Sequence, residues 1–277
     1  MAARAVAVIG PGALGLLYAS RLCEVVPTAV IARNAARASE LRRGVRVGSR
    51  LYKPDAFGPH ELPRADWVIV LVKTHQTAAA IRVAARMKPK GVLSLQNGLI
   101  EQIPQGVTTA GAYRDGKKVV PVALGKTLLP RGFEPLAGYL RRAGFPVRVT
   151  RKIGAARLHK LLANVCINPV TALFRIRNGE IRKRPYRGLA EALAREAALV
   201  LSREGLEITA SEAVSRVMDV AAITAQNRSS MLQDLLAGRK TEREHLTGAL
   251  LRLARRHRVA VPAHRALYEV IRVMESK

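Results

Sequence analysis

The sequence predicts an α/β fold: a parallel sheet covered by helices in the first half, then helices alone in the second. Three observations carry that prediction. Short apolar runs alternate with helical stretches up to Thr150, the rhythm of a sheet with helices on both faces. A glycine-rich turn joins the first apolar run to the first helical stretch. Beyond Thr150 strand-like alternation stops and helical periodicity runs nearly to the end. The expected organisation is a nucleotide-binding domain over 1–150 and a helical domain over 151–277, with a cleft between them.

The elements follow in order. Ala5–Ile9 reads as a buried strand and Ala13 to about Val25 as a helix. Thr28–Ala32 and the helical stretch Ala35–Arg43 repeat the unit, and Trp67–Val72, Gln76–Met87 and Val92–Leu95 continue it. Shorter β-rich pieces come near Thr108–Tyr113 and Val119–Leu124, and Glu134–Arg142 with Val147–Thr150 makes a last helix–strand pair. The second half reads as helices over Ile153–Phe174, Tyr186–Glu204, Ala210–Thr224, Arg228–Ala237, Glu242–Arg256 and His264–Glu275. Thr241 with Glu244 has the spacing of a capping box, and Pro262 suits the first position of the last helix.

Composition narrows the function. Lys and Arg number 47 against 20 Asp and Glu, a formal net charge of +27. A basic arm for nucleic acid would be a block of like charge, yet residues 1–150 carry 23 basic and 8 acidic side chains and residues 151–277 carry 24 and 12. Aromatic residues make up only 4%, too few for interleaved base-stacking platforms. The expectation is no nucleic acid partner. Nor is a membrane span expected, since no apolar stretch approaches the roughly 18–20 residues one needs. At 49% hydrophobic residues the chain is no disordered polycation. Cys23 and Cys166 fit no metal or redox spacing; a reduced, cytoplasmic chain without a metal site is expected, and a homodimer on general grounds.

Gly10-Pro11-Gly12-Ala13-Leu14-Gly15 follows the first strand directly and opens a helix, the context in which G-x-G-x-x-G marks a dinucleotide site of Rossmann type. Gly10 permits the tight turn, Gly12 admits the pyrophosphate to the backbone, and Gly15 lets helix and strand pack closely. An NAD site usually places an acid at the end of the second strand. Here that strand ends Ile31-Ala32-Arg33-Asn34, and Arg33 suits a 2′-phosphate. NADP(H) is therefore the expected cofactor, with NAD(H) left open. Lys73 and Asn97 stand at the ends of the third and fourth strands, where open α/β sheets bind ligands.

In the helical half Lys160, Asn164 and Asn168 recur every fourth residue and so share one helix face. Their neighbours are Leu, Ala, Val, Cys and Ile. Asparagine disfavours helix interiors, and the chain holds only six. Two readings stand at this point: amides bonding a neighbouring helix, or amides kept for a polar ligand. Further on, Asn227-Arg228-Ser229-Ser230 is read either as a helix cap or as ligand contacts.

Taken together, GPGALG, VKT at Lys73, QNG at Asn97, KLLANVCINPVTAL at Lys160–Leu173, Asn178, NRSSMLQD at Asn227–Asp234 and TE at Glu242 resemble the ketopantoate reductase family over essentially the full length. The resemblance implies NADPH-dependent reduction of 2-dehydropantoate to pantoate, on the route to pantothenate and coenzyme A. It makes Lys160 the general acid and Asn164, Asn168, Asn178, Asn227 and Ser230, with Lys160, the substrate ligands. It gives Gly10, Pro11, Gly12, Ala13, Leu14, Gly15, Arg33, Lys73, Asn97 and Glu242 to the cofactor side, with Glu242 close to Lys160. Pro121-Val122-Ala123-Leu124-Gly125 matches the family's strand beside the nicotinamide less closely, and adds Ala123. Two other readings remain open on sequence: another 2-keto acid or β-hydroxyacid reductase of this architecture, and a basic nucleic-acid-binding protein on a nucleotide fold.

Overall fold

The computed structural model describes residues Ala3–Ser276 and comprises two compact units. The first holds the chain up to Gln96 together with Ile100–Ile153; the second holds Asn97–Leu99 and the chain from Gly154 onward. The strands are β1 (Arg4–Ile9), β2 (Thr28–Ile31), β3 (Val45–Val47), β4 (Arg50–Tyr52), β5 (Asp55–Phe57), β6 (Ala65–Val70), β7 (Gly91–Ser94), β8 (Val107–Thr108), β9 (Gly111–Asp115), β10 (Lys118–Ala123), β11 (Thr127–Pro130) and β12 (Val147–Thr150). Among them run α1 (Ala13–Leu22), α2 (Ala35–Arg43), α3 (Thr77–Arg86) and α4 (Glu134–Arg142). The helices α5 (Ile153–Phe174), α6 (Arg187–Arg203), α7 (Ala210–Ile223), α8 (Ser230–Leu236), α9 (Thr247–His257) and α10 (Pro262–Met274) follow.

The first unit is built on a five-stranded sheet in the order β5-β2-β1-β6-β7, every pair parallel. The order reverses at β1, which lies centrally, so the turn after β1 opens at the switch point where such sheets take ligands. Burial explains the sequence of β1: Val6, Ala7 and Val8 are fully buried, as a strand covered on both faces requires. Smaller sheets, β4-β3-β10-β9 and β12-β11-β8, complete the unit. Tyr18 on α1 ties the last of these to the main core. Its ring stacks on Phe145 at 4.2 Å, and its hydroxyl bonds Thr108 and Thr127 at 2.8 Å each.

The fold class read from sequence is the one found, a Rossmann-type parallel sheet followed by helices. Details differ. The strands β3, β4, β5 and β11 were not expected; the first three have three residues each and β11 four, at or below the length at which a period-2 pattern becomes legible. Nor do Thr241 and Glu244 form a capping box. Thr241 directs its amide (3.0 Å) and its hydroxyl to Glu275, just past the end of α10, while Glu244 takes Arg252 and Tyr268. The chain makes a short 3-10 turn over Arg243–His245 and breaks at Leu246, so α9 begins at Thr247 rather than Glu242. A tertiary carboxylate has outcompeted the local cap. The reciprocal capping box stands instead at Thr209 and Glu212. No helix among the described residues is long and apolar enough to cross a membrane.

The core of the second unit gathers Leu161, Leu162, Val165, Cys166, Ala194, Ala197, Leu201 and Leu250. Within it Glu196 caps the start of α10, accepting from the Ala263 amide (2.8 Å) and the His264 amide (3.1 Å) and bonding His264 Nδ1 at 2.9 Å. Burial pushes the His264 pKa down against the pull of Glu196. These hydrogen bonds outweigh burial at Glu196 and lower its pKa. The folded chain thus resists protonation at His264, whereas the unfolded chain binds that proton below about 6.5. Stability present above that value is lost as pH falls, and again in the carboxylate range as Glu196 protonates. Thermal melts should therefore show the midpoint declining from about pH 6.5 downward. In His264→Leu, where Glu196 keeps both backbone amides, the upper part of that decline should flatten. An unchanged slope would show that His264 is not held neutral.

Candidate active site

In the first unit the glycine turn has the shape that a dinucleotide loop needs. Gly10 has φ +104°, a conformation that favours glycine. A Cβ there would lie 2.7 Å from the backbone of Leu71 and Val72, and one on Gly15 would lie 2.0 Å from the Gly10 carbonyl oxygen. Both glycines are needed for the turn itself. Gly12 differs: a Cβ on it would meet nothing within 4 Å. It precedes α1 as a cap without a side chain, and no acid stands in the first turn. The turn offers backbone N–H groups and a positive helix end to an anion.

Around this turn, Arg33 is exposed just after β2, and Asn34 caps α2 by accepting from the Arg37 amide at 2.8 Å. Lys73 follows β6 and precedes a 3-10 turn over Thr74–Gln76. Buried Gln96 braces this strand end, donating to the Val72 carbonyl and to Thr77 Oγ1 at 2.9 Å each. Ala123 is exposed at the end of β10, beside an irregularity in its pairing with β9. Sequence reasoning missed Arg114. From β9 its Nη2 donates to the Pro11 carbonyl at 2.9 Å, fixing the glycine turn from a strand about one hundred residues away. Burial, and then Arg37, lower its pKa. Nothing in the glycine motif signals so remote a partner.

In the second unit α5 carries Lys160, Asn164 and Asn168 on successive turns. Asn168 is only 7% exposed, and Lys160 and Asn164 are partly buried. Burial lowers the Lys160 pKa to about 8, with the Glu242 carboxylate opposing the shift. Asn97 engages the same carboxylate, its Nδ2 donating to Glu242 Oε2 at 3.0 Å. Gly98 makes this approach feasible: its φ is +77°, and a Cβ would lie 2.5 Å from the His245 carbonyl oxygen. Among the described residues neither the Asn164 nor the Asn168 side-chain amide has a protein hydrogen-bond partner. The reading in which they tie α5 to a neighbouring helix therefore fails.

Asn178 and Asn227 are brought together. The Asn178 amide donates to the Asn227 carbonyl at 3.0 Å, and Asn178 Nδ2 donates to Thr224 Oγ1 at 3.0 Å. Asn178 Oδ1 is buried without a partner. The helix cap in the Asn227–Ser230 stretch is Ser229, which accepts from the Leu232 amide and bonds Thr171 Oγ1 at 2.7 Å. Asn227 and Ser230 are both exposed, so neither is consumed by the cap. The α5 face thus offers a proton-bearing amine of lowered pKa together with neutral amides. Such a set can protonate a developing alkoxide while orienting a small polar anion.

Comparison with known proteins identifies the family. Residues 6–130 match the family model described as "Ketopantoate reductase PanE/ApbA" and residues 152–275 the model "Ketopantoate reductase PanE/ApbA C terminal". A 2-dehydropantoate 2-reductase of Yersinia pestis is 36% identical over 235 residues, covering 79% of this chain and 77% of that protein. One of Archaeoglobus fulgidus is 31% identical over 100% of this chain and 99% of its own. Among solved structures, a D-mandelate dehydrogenase in ternary complex with NADH and anilino(oxo)acetate shares the fold, with a TM-score of 0.88 at 20% identity over 98% of each chain. With both halves matched and relatives above 30% identity across its length, the chain belongs to the ketopantoate reductase family.

Proposed function

We propose that the chain is an NADPH-dependent 2-dehydropantoate 2-reductase, acting in the cytoplasm and converting 2-dehydropantoate to (R)-pantoate. The observation that carries this reading is Lys160, an amine lowered to about 8 beside a carboxylate, on the helix face that also bears two amides without protein partners. Gly10 to Gly15 would cradle the pyrophosphate. Arg33 would meet the 2′-phosphate, and Lys73, Asn97, Ala123 and Glu242 would serve the rest of the cofactor. The open space over Gly12 fits such a group. A reduced nicotinamide, when bound, supplies the hydride.

The chain's own residues do the remaining work. Asn164, Asn168, Asn178, Asn227 and Ser230 orient the keto acid, each fixing a direction without adding charge. Lys160 Nζ gives its proton to the carbonyl oxygen as that oxygen becomes an alkoxide, and the neutral amine regains a proton from solvent. Glu242 keeps the lysine protonated at neutral pH against its burial. Asn97 holds the Glu242 carboxylate in place.

A substrate panel tests the reading. With NADPH, turnover should be fastest on 2-dehydropantoate among short 2-keto acids. Faster turnover of another keto acid would make the chain a different reductase of this architecture, and steep salt-dependent nucleic acid binding without turnover would make it no reductase. Arg33→Ala tests the cofactor assignment. It should raise KM for NADPH at least about tenfold, through loss of charge-assisted phosphate bonds, and leave KM for NADH within about twofold. Equal effects on both would refute the phosphate role.

A further inference from the structure

The second unit contains a cavity of about 360 Å³ lined by Gly179, Arg182, Lys183, Arg187 and Met218. None of these residues belongs to the lysine–amide site. Three of the five are cations, and no carboxylate is among them. The sequence around the cavity is strongly basic: between Arg175 and Arg187 six Arg and Lys stand against one acid, Glu180.

Local structure concentrates that charge. A 3-10 turn over Asn178–Arg182 leads into α6, whose first residue is Arg187. The turn is pressed onto its neighbour at Gly179, where a Cβ would lie 2.7 Å from the Ala225 Cβ. Met218 on α7 supplies an apolar wall. Acids normally occupy the first turn of a helix, yet α6 has none there and its cap residue Tyr186 gives no side-chain bond. The cations thus add to the positive helix end instead of offsetting it. Lys183 Nζ pairs with Glu180 at 3.0 Å and Arg187 Nε with Glu191 at 2.8 Å. Both pairs are solvent-exposed and weak enough to rearrange. Arg182 has no carboxylate partner among the described residues.

We propose that this pocket binds the phosphate groups of a compact phosphorylated small molecule, with Arg182, Lys183 and Arg187 on the phosphate and Met218 against the organic part. Guanidinium forks match phosphate oxygens two at a time. The volume is at the lower end of the roughly 300–1,000 Å³ of small-molecule sites, which suits a compact ligand. The site stands independently of the role given to Lys160.

Titration calorimetry of the full chain with inorganic pyrophosphate, in about 0.15 M salt to screen diffuse attraction, tests this. Saturable binding is expected. Citrate, a carboxylate polyanion, should bind at least about tenfold (about 1.4 kcal/mol) more weakly, because its oxygens are spread over a branched carbon frame instead of gathered on two adjoining phosphorus atoms. The double substitution Arg182→Gln with Arg187→Gln should weaken pyrophosphate at least about tenfold. Met218→Trp fills the cavity without changing charge and should weaken it too. Absence of saturable binding, equal affinity for citrate, or wild-type affinity in both variants would each overturn the proposal.

Discussion

Lys160→Ala should lower kcat for 2-dehydropantoate reduction by roughly 10²–10⁴-fold, the range for loss of a positioned general acid, while NADPH affinity changes little. The expectation follows from where the lysine stands. Burial on an apolar helix face lowers its pKa to about 8, and Glu242 limits the fall. An acid with a pKa near the working pH holds its proton and still gives it up readily. The same value sets a pH signature. The protonated amine is the active form, so kcat/KM for the keto acid should be flat at lower pH and fall tenfold per unit above about 8. Glu242→Gln removes the carboxylate that supports the charged form, so the break should move to lower pH. A Lys160→Ala enzyme of normal turnover, or a profile unmoved in Glu242→Gln, would remove the pair from the chemistry.

The second large effect separates two glycines of one motif. Gly15→Ala would place a Cβ 2.0 Å from the Gly10 carbonyl oxygen, a backbone contact that no rotamer change relieves. Overpacking of this kind costs about 1–3 kcal/mol and occasionally more; here it should reach the upper end and abolish NADPH binding as the turn deforms. Gly12→Ala should behave oppositely. Its φ of −74° is open to alanine, and the new methyl would meet nothing within 4 Å. Stability should stay within about 0.5 kcal/mol of the parent, while NADPH binding weakens at least tenfold, or about 1.4 kcal/mol, because the methyl takes the space meant for the pyrophosphate. Thermal melts paired with a fluorescence titration of NADPH check both. A Gly12→Ala protein with unaltered affinity would contradict the phosphate-loop reading.

The parts of this molecule that sequence revealed are those governed by period and by motif. The alternation of Ala5–Ile9, Thr28–Ala32 and Trp67–Val72 foretold the parallel sheet, since strands buried on both faces read as apolar runs. The spacing of Lys160, Asn164 and Asn168 foretold one helix face, because α-helical geometry alone decides it. Features decided by distant partners stayed hidden. Glu275, just past α10, diverts Thr241 from its cap. Arg114 reaches the Pro11 carbonyl from another sheet. Asn97, at the end of a strand of the first unit, packs within the second and bonds Glu242. The basic composition also concealed the stretch from Arg175 to Arg187, whose meaning appears only where the 3-10 turn and α6 gather it around a cavity.

The most direct test of the functional reading is to mix the purified chain with NADPH and 2-dehydropantoate and follow the absorbance of the reduced nicotinamide. The account predicts its loss in proportion to keto acid added, with (R)-pantoate as product. No loss with either NADPH or NADH at any pH between about 6 and 9, the range over which Lys160 as acid should leave activity measurable, would contradict it.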